Sequence, residues 1–157
     1  MTEIERVSAE LEIRNLIAKI FLLTDTDPEL DEYAQCWTED AVWERQGQDA
    51  DQAIGTHLYG RAVGREQIVA DRRAARRKGH GPASSLWHTA TNIVVSVQDK
   101  DTARAWCSFL FVDHESGKVS AVSYYQDDFR RTDGRWQVAY RRWISSAKPP
   151  TNILVRT

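Results

Sequence analysis

The stretch Ser84–Val97, SSLWHTATNIVVSV, decides the fold. It is rich in β-branched residues and long enough to cross a sheet, so it reads as a strand. Three further strand segments follow it: Thr102 to Asp113, Lys118 to Arg131 and Arg135 to Ser146. The turns between them are Gln98-Asp99-Lys100-Asp101, Glu115-Ser116-Gly117 and Thr132-Asp133-Gly134. Short turns between long strands predict an antiparallel meander.

Upstream of this run the pattern turns helical. Val7, Leu11, Ile13, Leu16, Ile17, Ile20, Phe21 and Leu23 recur at close to helical spacing, predicting a helix from Val7 to Thr24. Asp27-Pro28 suits the start of a second, short helix, with Leu30, Tyr33, Ala34 and Trp37 on one side. Thr38-Glu39-Asp40 then turns the chain into a brief strand, Ala41 to Glu44. Arg45 to Thr56 is polar and aperiodic, a surface loop, and His57 to Arg61 adds a short strand. A third helix runs from Arg65 to Arg77, and the glycine-rich Lys78 to Pro82 ends it. Its Arg72, Arg73, Arg76 and Arg77, with Lys78, form either a solvated face, the simpler reading, or an attraction for an anionic substrate or partner.

Three helices ahead of four long antiparallel strands give an α+β class. A strongly twisted sheet of this kind curls into a cone, and the three N-terminal helices close it. The whole chain, 1–157, reads as one domain, with 147–157 as a tail that covers either a pocket mouth or a neighbouring subunit.

Composition narrows the function classes. At 157 residues and 41% hydrophobic content the chain can bury a sizeable core. A net charge of −2 gives no global attraction for nucleic acid or an anionic membrane. No run of apolar residues is long enough to span a bilayer, and the acidic, amphipathic start does not resemble a secretory signal, so a cytoplasmic setting is expected. Cys36 and Cys107 stand apart and match no metal or redox spacing, so they read as buried free thiols. No metal-ligand cluster is visible and no cofactor is expected. The six tryptophans line either a large core or an apolar ligand cavity.

Two residues stand out chemically. Ile17, Phe21 and Asp25 step by four, so Asp25 continues the buried face of the first helix, where a carboxylate is costly unless paired. Asp27 has a capping role to account for it; Asp25 has none. His88, in the first half of the decisive strand, is the available partner. A histidine can take and return a proton near neutral pH, and an aspartate on one ring nitrogen fixes the tautomer and stabilises the imidazolium. Such a dyad can remove a proton from carbon with loss of water or halide next door, or move a proton between two carbons. The competing reading is a satisfied structural histidine. His57, His80 and His114 read as surface residues.

The helix ending in Asp25, EYAQCWTEDAVWE (Glu32–Glu44), GREQIV from Gly64, WHTATN with His88 and Asn92, and YYQDDFRRTDGRWQVAYRR (Tyr124–Arg142) occur in an order and spacing that carries a resemblance. It covers Glu12 to Trp143. The chain resembles the SnoaL-like members of the nuclear transport factor 2-like superfamily. Among them it is most similar to the group with scytalone dehydratase, bile acid 7α-dehydratase and the hexachlorocyclohexane dehydrochlorinase. The resemblance implies that Asp25 and His88 act as a base unit in eliminations. It also implies a tyrosine about five residues before the aspartate, where this chain has Ile20 followed by Phe21. Tyr33, Tyr124, Tyr125 or Tyr140 can supply that hydroxyl instead, and Lys19 sits near the position of the dehydrochlorinase lysine. Arg131 is the nearest match to that enzyme's arginine, or else a surface strand-end residue. Asn92, four residues past His88, is expected on the same strand face, where it hydrogen-bonds a substrate or a buried backbone group. Trp37, Trp43, Trp87 and Phe109 are candidate pocket walls or core.

These expectations describe a cofactor-independent lyase or isomerase acting on a small, mostly apolar, possibly cyclic molecule, in a homo-oligomer, dimer or trimer. The alternatives are a noncatalytic small-molecule binder of the same fold and a pure association module. A buried ionisable pair argues against the last.

Overall fold

The computed structural model describes residues 1–46, 60–77 and 84–145. The polar loop, the strand expected at His57, the Lys78–Pro82 loop with His80, and the tail lie wholly or largely outside these residues.

The first helix, α1, spans Glu3–Thr26 and so begins before Val7. Its start is a capping box: Thr2 accepts from the Glu5 amide at 3.2 Å, and the Glu5 carboxylate accepts from the Thr2 amide at 2.7 Å. Ala9, Ile13, Ile17, Ile20, Phe21, Thr24 and Asp25 form its buried face, while Val7 and Leu11 are exposed.

The second helix, α2, is shorter than expected, Asp31–Gln35. Asp27 does not start it. Its backbone closes α1 on Leu23, and its carboxylate accepts the Leu30 and Tyr33 amides, both at 3.0 Å. The structural reading of Asp27 holds, displaced by one turn. Trp37 is not on this helix but opens strand β1, Trp37–Gln46. A three-residue strand β2, Arg61–Val63, precedes helix α3, Arg65–Arg77.

The meander follows as β3 (Leu86–Val97), β4 (Thr102–Asp113), β5 (Val119–Thr132) and β6 (Arg135–Ser145). Asp133 and Gly134, at φ 51° and 76°, make the tight β5–β6 hairpin whose two positive φ values favour an Asp-Gly pair. The six strands lie in the order β2-β1-β6-β5-β4-β3, antiparallel throughout except β1, which runs parallel to β6. The length of β1 and its parallel pairing were not expected. The helix α1 lies mainly against β3, and the core fills the space between it and the inner sheet face.

One bulge in β3 changes which residues face inward. Thr91 pairs with Ser108 but Val94 with Trp106, so β3 carries one extra residue there. Asn92 adopts φ 52°, and the inward parity switches from Leu86, His88 and Ala90 to Ile93, Val95 and Val97. The expectation that Asn92 shares the face of His88 is therefore corrected: Asn92 is exposed, and its amide reaches Ser108 Oγ at 3.5 Å.

Candidate active site

Asp25 ends the buried stripe of α1, and His88 faces it from β3. One carboxylate oxygen, Oδ1, lies 2.7 Å from His88 Nδ1, and the other accepts the His88 backbone amide at 2.8 Å. Their side chains are only 10% and 9% exposed for His88 and Asp25. The imidazole packs edge-on against Phe111 with centroids 4.5 Å apart, with Phe109 at 6.1 Å and Phe21 at 6.3 Å. A carboxylate held at both oxygens cannot turn, so it fixes the ring plane. With Nδ1 donating to it, the neutral ring carries its lone pair on Nε2.

Helix α3 braces the end of α1 that carries this carboxylate. Arg72 donates to the Thr24 carbonyl at 2.9 Å; Arg76 donates to the same carbonyl at 2.9 Å and to that of Leu23 at 3.1 Å. Arg76 also bonds the carbonyls of Asp27 and Pro28, and Arg73 that of Glu29. Of these acceptors, Leu23 and Thr24 belong to the last turn of α1, where helix carbonyls lack intrahelical partners. The reading of α3's arginines as a solvated face is corrected for Arg72, which is buried, and for Arg76, which is half-buried.

A second buried pair lies on the inner sheet face. Arg141 on β6 grips Asp127 on β5 through Nε and Nη2, at 2.8 and 2.7 Å. The two side chains are 3% and 1% exposed. The guanidinium lies 4.4 Å from the Tyr125 ring, 5.3 Å from Trp37 and 5.6 Å from Phe21. Burial pulls its pKa down, but the bonded Asp127 outweighs this and holds Arg141 charged, well above its ordinary value. Sequence reading missed this pair. The signal lay in strand parity: Asp127 alternates with the inward Tyr125 and Phe129, and Arg141 with Trp143.

Around these pairs the structure gathers Tyr33, Trp37, Trp43, Phe109 and Tyr125. Phe109 stacks on Tyr125 at 4.6 Å, Trp37 on Trp43 at 5.9 Å, and Tyr33 lies 5.7 Å from Trp37. Burial raises the pKa of both Tyr33 and Tyr125, so both hydroxyls stay protonated. Other candidates lie elsewhere. Trp87 is half exposed on the opposite sheet face, against His114 at 5.0 Å, because its parity in β3 is odd where His88's is even. Arg131 bonds the Gly134 carbonyl at 3.1 Å and pairs with Glu12 at 3.7 Å, at the hairpin end of the sheet. Tyr140 donates to Glu44 at 2.6 Å, and Lys19 pairs with Glu32 at 2.9 Å on the surface. Ile20 and Phe21 are buried where the resemblance called for a tyrosine.

Helices packed on a six-stranded, mostly antiparallel sheet, with this topology, define the nuclear transport factor 2-like, or cystatin-like, fold. The SnoaL-like domain model matches residues 5–142, and the chain belongs to that family. A nuclear transport factor 2-like protein from Novosphingobium aromaticivorans is 27% identical, with 92% of this chain and 86% of that one covered and a TM-score of 0.72. A proposed scytalone dehydratase from the same organism is 14% identical, with 92% and 88% covered and a TM-score of 0.71. The hexachlorocyclohexane dehydrochlorinase LinA, type 2, is 16% identical, with 92% and 89% covered and a TM-score of 0.66. None of the curated proteins matches the chain significantly. No helix among the described residues is long and apolar enough to cross a membrane.

Proposed function

We propose that the chain is a cofactor-independent lyase or isomerase that removes a proton from a carbon of a small, mostly apolar molecule. The observation that carries this is the dyad: a buried histidine whose Nδ1 and backbone amide both bond one aspartate. In an elimination, Nε2 of His88 accepts the proton and the C–H electron pair becomes the new double bond. Halide, or water after protonation of a hydroxyl, leaves the neighbouring carbon with its bonding pair. In an isomerisation the imidazolium returns the proton to a different carbon. Asp25 orients the ring and stabilises the imidazolium as it forms. With no tyrosine at the usual helix position, the imidazolium formed on His88 can itself deliver the proton to a leaving hydroxyl. Distant neighbours that include a dehydrochlorinase and a proposed dehydratase fit this reaction class.

The loss of that tyrosine favours a second reading, a small-molecule binder in which the dyad is only a hydrogen-bonding group. One experiment separates the two. His88 is titrated by side-chain NMR in the wild type and in Asp25→Asn, and both proteins are screened with cyclic halides and β-hydroxy ketones. The catalytic reading expects the His88 midpoint to fall in Asp25→Asn, with turnover in the wild type alone. An unchanged midpoint and no turnover by the wild type leave the binder.

A further inference from the structure

The inner sheet face around Arg141 holds more hydrogen-bond donors than acceptors. Arg141 uses Nε and Nη2 on Asp127, and its Nη1 has no partner among the described residues. The Tyr33 and Tyr125 hydroxyls are buried and equally without a partner there. Among the described residues, the indole N–H groups of Trp37, Trp43 and Trp143 are buried with no acceptor, as is Nε of Arg72. These groups are neighbours: Trp43 is the cross-strand partner of Arg141, Trp143 lies two residues further along β6, and Trp37 touches its guanidinium.

Charge points the same way. Arg141 is balanced by Asp127, and Asp25 is engaged by His88. Arg72 is buried and hydrogen-bonds only a backbone carbonyl among the described residues; Asp25 lies within its electrostatic reach but spends its hydrogen bonds on His88. Both tyrosines lie within electrostatic reach of Arg72 and Arg141. An anion entering here would meet two buried guanidinium groups whose donors are not all used.

We propose that this interior binds the carboxylate of a monoanionic substrate, through Arg141 Nη1 and the hydroxyls of Tyr33 and Tyr125, with Arg72 adding a second positive charge nearby. A carboxylate is acceptor-only and takes up to four hydrogen bonds, which matches a surplus made of donors. Each guanidinium already has one carboxylate within reach, so a single further negative charge is easier to accommodate than the two of a phosphate monoester. Phe21 touches both the Arg141 guanidinium, at 5.6 Å, and the His88 imidazole, at 6.3 Å. The apolar body of the substrate would lie along this ring, with the carboxylate at one end and the reacting carbon at the other. The inference rests on the proposed function in treating the bound molecule as a substrate.

The test uses the full-length, isotope-labelled chain and four probes: benzoate, cyclohexanecarboxylate and their two amides. Binding is followed on the tryptophan indole N–H signals. Each carboxylate is expected to shift the Trp37, Trp43 and Trp143 signals and to bind at least about tenfold more tightly than its amide. Tyr33→Phe and Tyr125→Phe, which delete only an oxygen, each weaken the carboxylates and leave the amides unchanged. The carboxylate preference should also survive in His88→Gln, because the anion site does not use the imidazole. Equal binding of amide and carboxylate, shifts confined to the exposed Trp87, no shift at all, or tighter binding of phenyl phosphate each overturn the proposal. If the preference is absent while His88 still titrates with Asp25, the anion site falls and the proposed function stands.

Discussion

Cutting the Asp127–Arg141 pair on one side should cost far more than removing both partners. The pair is bidentate and almost wholly buried, with 1% and 3% of the side chains exposed. Asp127→Asn leaves an unpaired guanidinium among aromatic rings, and losses of about 3–5 kcal/mol follow for such cuts. That is a large share of the roughly 5–15 kcal/mol that keeps a domain folded. Arg141→Met leaves the carboxyl instead, and a carboxyl has an escape. Burial already pushes Asp127 above its ordinary value, and Arg141 is what opposes that rise among the described residues. A group whose folded pKa is raised favours the folded state at low pH and loses that advantage as pH rises through the raised value. Arg141→Met should therefore be nearer wild type at pH 5 than at pH 8, whereas Asp127→Asn should be poor at both. The double variant Asp127→Leu with Arg141→Met should recover most of the loss, since apolar residues of similar size replace buried pairs at little cost. The assay is urea unfolding followed by tryptophan fluorescence at the two pH values. The reasoning fails if Asp127→Asn costs under about 1 kcal/mol, or if the two single losses simply add in the double variant.

Three further outcomes are expected. Burial pushes the Cys36 thiol from 9.0 up to about 11 and the Cys107 thiol up to about 12. The native protein should resist alkylation at pH 8, and both thiols should lend stability that is full below pH 9 and drains away as pH rises towards 12, seen as a falling urea midpoint. Asn92→Gly should leave stability within about 0.5 kcal/mol, while Asn92→Val, forced to a positive φ, should lose about 1–2 kcal/mol by thermal unfolding. Arg76→Gln removes charged donors to the end of α1 and should cost about 1.5 kcal/mol, with broadening of the His88 side-chain NMR signal as the Asp25 carboxylate loosens.

The strands of the meander were legible because each is bounded by turn residues on both sides; β4 spans the Thr102–Asp113 range read from sequence. Asp25 and His88 were legible because a lone carboxylate on an apolar helix face demands a partner. The bulge at Asn92 left no such mark, since asparagine tolerates positive φ but does not require it. Its effect was to send Asn92 outward while His88 stayed inward. Arg72 was misread because a charged helix residue is solvated unless something buried needs its donors, and the carbonyl it serves lies 48 residues away in the chain. Arg141 escaped notice for the same reason: its need for Asp127 appears only when β5 and β6 are side by side. The parallel pairing of β1 with β6 joins segments about a hundred residues apart, beyond what local pattern can carry.

The arginines that tie α3 to the end of α1 have an electrical meaning. The carbonyl end of a helix behaves as about half a negative charge. Asp25 sits at that end, and the last turn of α1 contains no basic residue of its own. A carboxylate there faces repulsion along its own helix axis. Arg72 and Arg76 reverse the sign of that end from outside, by placing two positive groups on the carbonyls of Leu23 and Thr24. Asp25 is thus held against the field of its own helix by a second helix as well as by its histidine. A dyad transplanted to another helix and strand would need α3's two guanidinium groups to travel with it.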